Sequence, residues 1–440
     1  MRTSIRLPVA ARNPLSLLGM AVATAMAVLF LVLLAIDLLG WFTNPYAGLL
    51  VFVAVPGLFV AALLLIPIGV WWTNRRRRNL DNVPDWPVID LGDPHTRTVL
   101  ASVLVLTIVN VAFVSMAAFG AVHHMESAAF CGQTCHVTME PQAVAHRDWP
   151  HAQIACTQCH IGPGAGAFVE AKLAGTRQLL QVATNNVPTP VPSPQRLISP
   201  ATATCGGCHS GILPSRDVIR TVREYPDDEA NSETVTTLRL HVGGDNGIHR
   251  HNRLEIDFPA AEKSSETISF VRARYPDGTV REFQAAGAAP PAGLRRMDCT
   301  DCHNRPAHTF SFTPQRAVDR AIAQGTIPQD LAFARREAVA AVSGDYPDRE
   351  AALAAIGRRL TDFYASRPGS DARLVQRAVD GVRGVWAGNI FPAMKVQWGT
   401  YPNQLGHVDS SGCFRCHDDG HKAPGGAVIS QDCELCHTIE

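Results

Sequence analysis

The cysteines constrain this 440-residue chain more than any other feature, because all twelve fall into six pairs that are each followed directly by a histidine. Five pairs have the spacing Cys-x-x-Cys-His, and the first pair has one additional residue between its cysteines. In chain order the motifs are Cys131/Cys135/His136, Cys156/Cys159/His160, Cys205/Cys208/His209, Cys299/Cys302/His303, Cys413/Cys416/His417 and Cys433/Cys436/His437. This is the attachment signature of c-type haem, in which both sulfurs bond to the porphyrin and the histidine is the proximal ligand of the iron. The sequence therefore predicts up to six covalently bound haems.

Two other uses of paired cysteines explain less of the pattern. A disulfide framework would use every cysteine but has no need of a histidine after each pair. A zinc site would need two Cys-x-x-Cys pairs around one metal ion, again without the following histidine. The formal net charge of the chain is zero, so its composition gives no electrostatic reason to expect a nucleic-acid partner.

Three long apolar runs precede the first motif, at about residues 15–42, 49–72 and 99–122. Each reaches the ~20 residues that a helix needs to cross the hydrocarbon core of a bilayer. A cleavable signal peptide would be shorter than the first run and would not be followed at once by a second span. We therefore expect residues 1–122 to form a membrane anchor of three transmembrane helices.

The basic residues predict the orientation of this anchor. Arginines cluster before the first span and again at 75–78, after the second, and the positive-inside rule places both clusters in the cytoplasm. The third span then carries the chain out of the cytoplasm before the first motif. Haem is attached to c-type cytochromes on the outer side of the bacterial inner membrane. The sequence thus predicts an inner-membrane protein with a cytoplasmic amino terminus and a periplasmic haem region.

The exterior region alternates between motifs and segments with regular patterns. Residues 234–240, 267–274 and 279–283 have strand character, with a turn at 275–278, whereas 353–363 and 375–386 have the spacing of amphipathic helices. We expect a multihaem cytochrome region with little regular structure, interrupted by a small antiparallel β insertion and a helical segment. The predicted divisions are 123–210 with motifs one to three, 211–293 as the β-rich insertion, 294–312 with motif four, 313–390 as the helical segment, and 391–440 with motifs five and six.

The remaining histidines supply distal ligands. Seventeen histidines are present and six belong to the motifs, which leaves eleven. A low-spin electron-transfer haem needs a second strong ligand, whereas a haem that reacts with substrate keeps that position open, so the surplus favours electron transfer. His249 and His251 would share one face if they lay in a strand, and we expect one of them to bind iron. The distal candidates are His151, His249, His251, His308, His407 and His421.

The segment from Phe130 to Gln178 resembles the NapC/NirT/NrfH family of membrane-anchored multihaem quinol dehydrogenases. The matching stretches are Phe130-Cys131, Cys135-His136, Met139-Glu140-Pro141, Pro150-His151, Cys159 to Gly164 and Lys172 to Gly175, and the likeness continues through Pro188 to Pro192. The remainder of the chain resembles a larger relative of that family, with the inner-membrane cytochromes of metal-reducing bacteria as a looser comparison.

This resemblance implies that membrane quinol delivers electrons to the first haem. It matches Lys172 to the family's quinol-site lysine, Met139 to a ligand of the first haem, and His151 to a ligand of a haem other than the second. The chain departs from the family in several ways. Met139 follows His136 by three positions instead of two, and there is no aspartate near Leu179 where such members have one. The family usually has one span and four haems.

The sequence therefore predicts an enlarged relative of that family with quinol dehydrogenase activity. Its partners would be the membrane quinone pool and a periplasmic or membrane-bound redox protein, within a larger complex or alone. Two alternatives stay open. One is a structural electron-transfer subunit without a quinone site, and the other is a terminal multihaem reductase of nitrite, hydroxylamine or metal ions.

Overall fold

The computed structural model describes residues 13–39, 50–78, 91–128, 130–134, 136–147, 149–161, 164–192, 201–209, 216–244, 246–263, 265–289 and 291–440. The chain divides into two compact units, Met1–Thr134 and Cys135–Glu440, each with its own hydrophobic core. The first unit extends past the predicted end of the anchor at residue 122. The reason is that the third helix continues to Met125 and is followed by a π-helical turn at Phe130–Thr134.

Three helices in the described part of the first unit are long and apolar enough to cross a membrane, which confirms the predicted anchor. The third starts before residue 99 because the Asp93 side chain accepts a hydrogen bond from the Thr96 N–H and Pro94 occupies the first helical position. A π-helical turn at Leu50–Ala54 leads directly into the second. The helices are α1, Pro14–Leu38; α2, Val55–Arg78; and α3, Pro94–Met125.

Helices α1 and α2 pack closely where small residues face the neighbouring helix. A Cβ atom at Gly19 would lie 2.7 Å from the carbonyl oxygen of Ala62, so only glycine permits this approach. Ser16 Oγ donates a hydrogen bond to the carbonyl oxygen of Ile66 at 2.9 Å, which satisfies a hydroxyl in an apolar setting. Phe30 of α1 meets Phe113 of α3 edge to face, with ring centres 4.8 Å apart.

The second unit begins with four helices that carry or flank the second and third motifs. Three of them contain motif residues, since α4 begins at His136 of the first motif, and the longest follows the second motif. They are α4, His136–Arg147; α5, Cys156–His160; α6, Ala165–Ala183; and α7, Ala201–His209.

Two antiparallel sheets follow, as expected for the β insertion. The first has the order β1-β2-β7 and is built from Val218–Glu224, Thr234–Leu240 and His437–Ile439. The second has the order β5-β4-β3-β6, from β3, Glu255–Pro259; β4, Phe270–Arg274; β5, Val280–Gln284; and β6, Leu294–Arg296. Strand β7 contains the histidine of the sixth motif, so the carboxy terminus completes a sheet that starts more than two hundred residues earlier.

The helical segment forms the largest hydrophobic core of the second unit. Ile356 and Leu360 pack against Val379, Val382 and Trp386, as the two apolar stripes in the sequence predicted. The side chains of Asp348 and Asp371 cap the two longest of these helices by accepting hydrogen bonds from backbone N–H groups of their first turns. The helices are α8, Pro314–Ala323; α9, Ala334–Val342; α10, Arg349–Ala365; and α11, Ala372–Ala387. The predicted fold class is therefore confirmed.

Candidate haem-binding sites

Each of the last five motifs lies on a single helical turn. The second motif forms α5 and the third ends α7, whereas the other three begin on 3-10 turns at Cys299–Asp301, Gly412–Arg415 and Cys433–Leu435. Residues three apart lie on the same side of a helical turn. The local fold therefore presents both sulfurs of a motif in one direction, with the histidine directly after them.

The attachment cysteines differ in how far the protein covers them. Cys208 and Cys433 are exposed, whereas the other nine in the described part of the chain are half-buried. At the third motif Cys205 is half-buried and Cys208 is exposed, next to Gly206 and Gly207, where a Cβ atom would meet nothing within 4 Å. Attachment through the motif cysteines stays a prediction.

Five motif histidines lie opposite a histidine from another part of the chain. In every pair the ring centres are about 6 Å apart, although the partners are separated by between 30 and 166 residues in sequence. The pairs are His160 with His308 at 6.1 Å, His209 with His151 at 6.0 Å, His303 with His249 at 6.3 Å, His417 with His251 at 5.9 Å, and His437 with His407 at 6.2 Å.

These separations fit one metal ion between two imidazoles. A metal–imidazole bond is about 2 Å long and the ring centre lies roughly 1 Å farther away, so two imidazoles on opposite sides of a metal have centres about 6 Å apart. The separation recurs next to five Cys-x-x-Cys motifs although the angle between the ring planes varies from 29° to 73°, so ring stacking does not account for it. The described residues thus fit bis-histidine ligation of c-type haem.

Hydrogen bonds fix the tautomer of several of these imidazoles. Nδ1 of His308 lies 2.9 Å from the carbonyl oxygen of Gln142, Nδ1 of His151 lies 2.8 Å from that of Pro306, and Nδ1 of His417 lies 2.8 Å from that of Ser430. A carbonyl oxygen can only accept, so Nδ1 carries the proton and Nε2 keeps its lone pair for a metal.

Desolvation by the surrounding protein favours the neutral form of three of the paired imidazoles. It lowers the pKa of His308 to about 4, and it also lowers the pKa values of His251 and His160. A neutral imidazole is the form that binds a metal, so protonation does not compete with ligation at neutral pH.

His249 and His251 differ from the sequence expectation. They lie on a 3-10 turn, Ile248–Asn252, and not in a strand, and they face two different motif histidines. One turn therefore places one histidine opposite the fourth motif histidine and one opposite the fifth, whereas the sequence predicted a single ligand from this pair. The β insertion supplies ligand candidates and does more than separate the motifs.

His421 stands apart from the five pairs. Its side chain is buried, Nε2 lies 2.6 Å from the carbonyl oxygen of Ile268, and Nδ1 lies 2.9 Å from the carboxylate of Asp418. Both nitrogens are engaged, so the structure gives His421 a packing role between the loop and the second sheet. A ligand role for His421 stays a prediction, and the assignment proposed below does not use it.

Only part of the first motif lies within the residues that the structure describes. Cys131 lies on the π-helical turn that ends the first unit, while Cys135 and the side chain of His136 lie outside the described residues. Met139 is half-buried on α4. Lys172 lies on α6, where its ammonium nitrogen is 4.8 Å from the centre of the Phe168 ring.

The attachment sites succeed one another in space in the order of the chain. Helix α5 contacts α7, and α7 contacts the turn at Cys299–Asp301. Burial, and after it the neighbouring thiol of Cys299, raises the pKa of Cys205 to about 11, and the thiol of Cys413 adds to burial in raising the pKa values of Cys302 and Cys436. Motifs two to six thus form a consecutive series.

The described residues give no support to a disulfide framework or to a zinc site, the two alternative uses of the cysteines. None of the eleven cysteines in the described part of the chain forms a disulfide. No cluster of three or more described His, Cys, Asp or Glu side chains could hold a metal ion.

Arg415, inside the fifth motif, is a structural residue that sequence reasoning missed. It is buried and donates from Nε to the carbonyl oxygen of Gly412 at 3.0 Å, from Nη1 to that of Lys263 at 3.1 Å and from Nη2 to that of Asp301 at 2.6 Å. It therefore ties the fifth motif to the fourth. No pattern in the sequence distinguishes this arginine, because all three acceptors are backbone atoms.

Apolar side chains next to the last motifs are unusually exposed. Val408, beside His407, is 69% exposed, and Ile439, two residues after His437, is 70% exposed. A porphyrin would cover such surface, which is a second respect in which the residues fit haem.

The chain is 35% identical over 445 residues to the cytochrome c-type protein ImcH of Geobacter sulfurreducens, and the match covers 97% of this chain and 88% of that protein. No protein-family model matches the chain, and no solved structure matches it significantly. This similarity confirms the predicted class, a c-type cytochrome with covalently bound haem. The narrower resemblance to the NapC/NirT/NrfH family stays a prediction.

Proposed function

Because this chain belongs to the family of the cytochrome c-type protein ImcH, we propose that it is an inner-membrane carrier that takes electrons from membrane quinol and passes them to a periplasmic or membrane-bound acceptor. The observation that carries this proposal is the set of five histidine pairs at 5.9–6.3 Å. When bound, haems with two histidine ligands supply one-electron carriers with no open position for substrate.

The ligand assignment follows from those pairs. We assign His308 to the second motif, His151 to the third, His249 to the fourth, His251 to the fifth and His407 to the sixth. Six attachment sites are proposed in total, the first with His136 as proximal ligand and Met139 as the distal candidate. The succession of motifs two to six supports a single path that ends at the sixth.

The first motif is the proposed site of electron uptake. It begins six residues after the last residue of α3, so in the sequence it is the motif nearest a membrane span. Quinol oxidation releases two electrons and two protons. Lys172 is the proposed quinol-binding side chain, a role supported by the family resemblance.

The proposed orientation rests on the arginines. The arginine clusters before α1 and at the end of α2 would lie in the cytoplasm. Helix α3 would then cross to the periplasmic side, and every motif follows it in the chain. Terminal reduction of nitrite, hydroxylamine or metal ions would need an open iron position, and the five pairs argue against one at motifs two to six.

The test uses the full-length haem-loaded protein in proteoliposomes. A reduced menaquinone analogue is added, and reduction is followed by haem absorbance. We expect reduction by the quinol, a clear slowing in Lys172→Met, and wild-type behaviour in the matched control Arg177→Met on the same helix. Failure of every quinol analogue to reduce the protein would refute the quinol proposal and favour a subunit that only connects other redox proteins.

Electron paramagnetic resonance of the oxidised protein separates a carrier from a reductase. Low-spin signals alone support the proposed carrier. A high-spin signal that cyanide converts to low spin would contradict it, because such a haem has an open position.

A further inference from the structure

Three arginines lie close together where helix α8 contacts strand β1. Arg220 lies on β1, and Arg316 and Arg320 lie four residues apart on α8, which places them on one side of that helix. Desolvation and then the charges of Arg316 and Arg220 lower the pKa of Arg320, and desolvation and then Arg220 lower that of Arg316. Cations this close repel one another, so an anion that binds among them is favoured.

The register of the first sheet places Arg220 on the same face as the proximal histidine of the sixth motif. Arg220 pairs with Leu238, which in turn pairs with Ile439, and residues directly opposite in antiparallel strands project to one face. Ile439 follows His437 by two residues, so their side chains also share a face. From a strand spacing of about 4.8 Å and a rise of about 3.4 Å per residue, the Cα atoms of Arg220 and His437 are about 12 Å apart.

The arginines of α8 are linked to the distal histidine candidate of the same motif. Arg316 forms an ion pair with Asp409, which is two residues after His407. His407 faces His437, with ring centres 6.2 Å apart. The sheet and the loop that contains His407 therefore connect the three arginines to both sides of one candidate haem site.

Two of these three cations lack an acidic partner in the described part of the chain. Arg316 pairs with Asp409, and the carboxylate of Glu224 on β1 also interacts with it. No ion pair joins Arg220 or Arg320 to an acid among the described residues. Haem has two propionate carboxylates, on the porphyrin edge remote from the vinyl groups to which cysteines bond. Arginine suits such groups because its guanidinium binds a carboxylate through two N–H donors.

We propose that Arg220 and Arg320 bind the propionate carboxylates of the haem at the sixth motif. The 3-10 turn of this motif precedes β7 and would hold the vinyl edge, whereas Arg220 is displaced from that turn towards the other end of β7. The two edges of the porphyrin then point in opposite directions, as its structure requires. This role depends on the proposed use of His437 and His407 as axial ligands, and not on quinol oxidation.

Bound guanidinium groups would raise the reduction potential of this haem, because nearby positive charge stabilises the additional electron on the iron. The sixth haem is the last of the proposed path, so a raised potential holds electrons at the end from which they leave. Removal of one unit charge at about 10 Å from the iron, with an effective dielectric constant of about 20, changes the reduction equilibrium roughly tenfold. For a one-electron couple, a tenfold change corresponds to about 59 mV.

The test is a spectroelectrochemical titration of the full-length haem-loaded protein, with redox mediators in place of quinol. The matched control is Arg223→Met, because Arg223 lies on the opposite face of the same strand and is held by Glu233. We expect Arg220→Met and Arg320→Met each to lower the potential of one haem by roughly tenfold in the reduction equilibrium, and the control to leave all potentials unchanged. Resonance Raman bands of the propionate bending modes should change in the same two variants, because these modes respond to hydrogen bonds at the carboxylates.

The affected haem is identified in the His407→Ala background, where the opened sixth haem becomes high-spin and is titrated by its own absorbance. A lowered potential of this haem supports the proposal. An equal shift in Arg223→Met, a shift confined to another haem, unchanged propionate modes, or a His407→Ala chain that stays entirely low-spin would overturn it. Mediators supply the electrons, so a failure of quinol to reduce the protein would count against the proposed function alone.

Discussion

The turn Ile248–Asn252 provides the sharpest test of the ligand assignment, because two histidines two residues apart face two different motifs. His249 lies 6.3 Å from His303 and His251 lies 5.9 Å from His417, measured between ring centres. If both bind iron, His249→Ala and His251→Ala each open one axial position, and the double variant opens two. Only an open ferrous position binds carbon monoxide. Each single variant should therefore bind about one equivalent more per reduced chain than the wild type, and the double variant about two equivalents more.

Carbon monoxide difference spectra of the reduced variants measure this increase, and the high-spin signal of the oxidised variants checks it. Total haem per chain is determined in parallel, so that a lost haem is not counted as an open one. His421→Gln is the matched control, because its amide can still donate to the carbonyl oxygen of Ile268 and no added binding is expected. A double variant that binds no more carbon monoxide than one of the single variants would refute the assignment of two ligands to one turn.

Three further predictions concern attachment and stability. Cys131→Ala should lower the haem content and the intact mass by about one haem per chain if the longer first motif is attached, and unchanged content would exclude attachment there. Leu360→Ala, at a fully buried position, should cost about 2–5 kcal/mol in thermal or denaturant unfolding while the haem absorption spectrum keeps its wild-type shape, because the helical core carries none of the assigned ligands. Arg415→Met leaves three carbonyl oxygens without their donor and should cost about 3 kcal/mol or more, whereas Arg373→Met, whose side chain is 94% exposed, should change stability by no more than about 0.5 kcal/mol.

Local sequence patterns predicted the features that depend on neighbouring residues. The length of the apolar runs predicted the three spans, and the β-branched residues predicted the strand at Thr234–Leu240. Helical spacing of apolar residues predicted the packing of Ile356 and Val382. The turn between β4 and β5 was also predicted from the sequence. Gly278 adopts a φ of 86° in this turn, which glycine accommodates without strain. In each case the energy that selects the structure comes from residues close together in the chain.

His249 and His251 do not share one face, as they would in a strand, and the reason is local. Gly244 has a φ of 74°, and a Cβ atom at Gly247 would lie 2.1 Å from the carbonyl oxygen of Gly243. These glycines end β2 and fold the chain tightly before the histidines, which then form a 3-10 turn. Side chains two residues apart on such a turn point in different directions and not to one face, so a single turn can serve two sites.

Pairings between distant histidines could not be predicted, because they depend on which segments cross in space. His151 is held by the carbonyl oxygen of Pro306, while His308, two residues farther on, is held by the carbonyl oxygen of Gln142. The segments 142–151 and 306–308 therefore orient each other's imidazoles, and each faces a motif histidine from a third region. Removing either segment would therefore misplace ligand candidates for both the second and the third motif. The turn at Ile248–Asn252 likewise holds the ligand candidates for both the fourth and the fifth motif. The candidate sites are thus interleaved, and under the proposed ligand assignment segments without any motif, including the β insertion, supply imidazoles to the haem series.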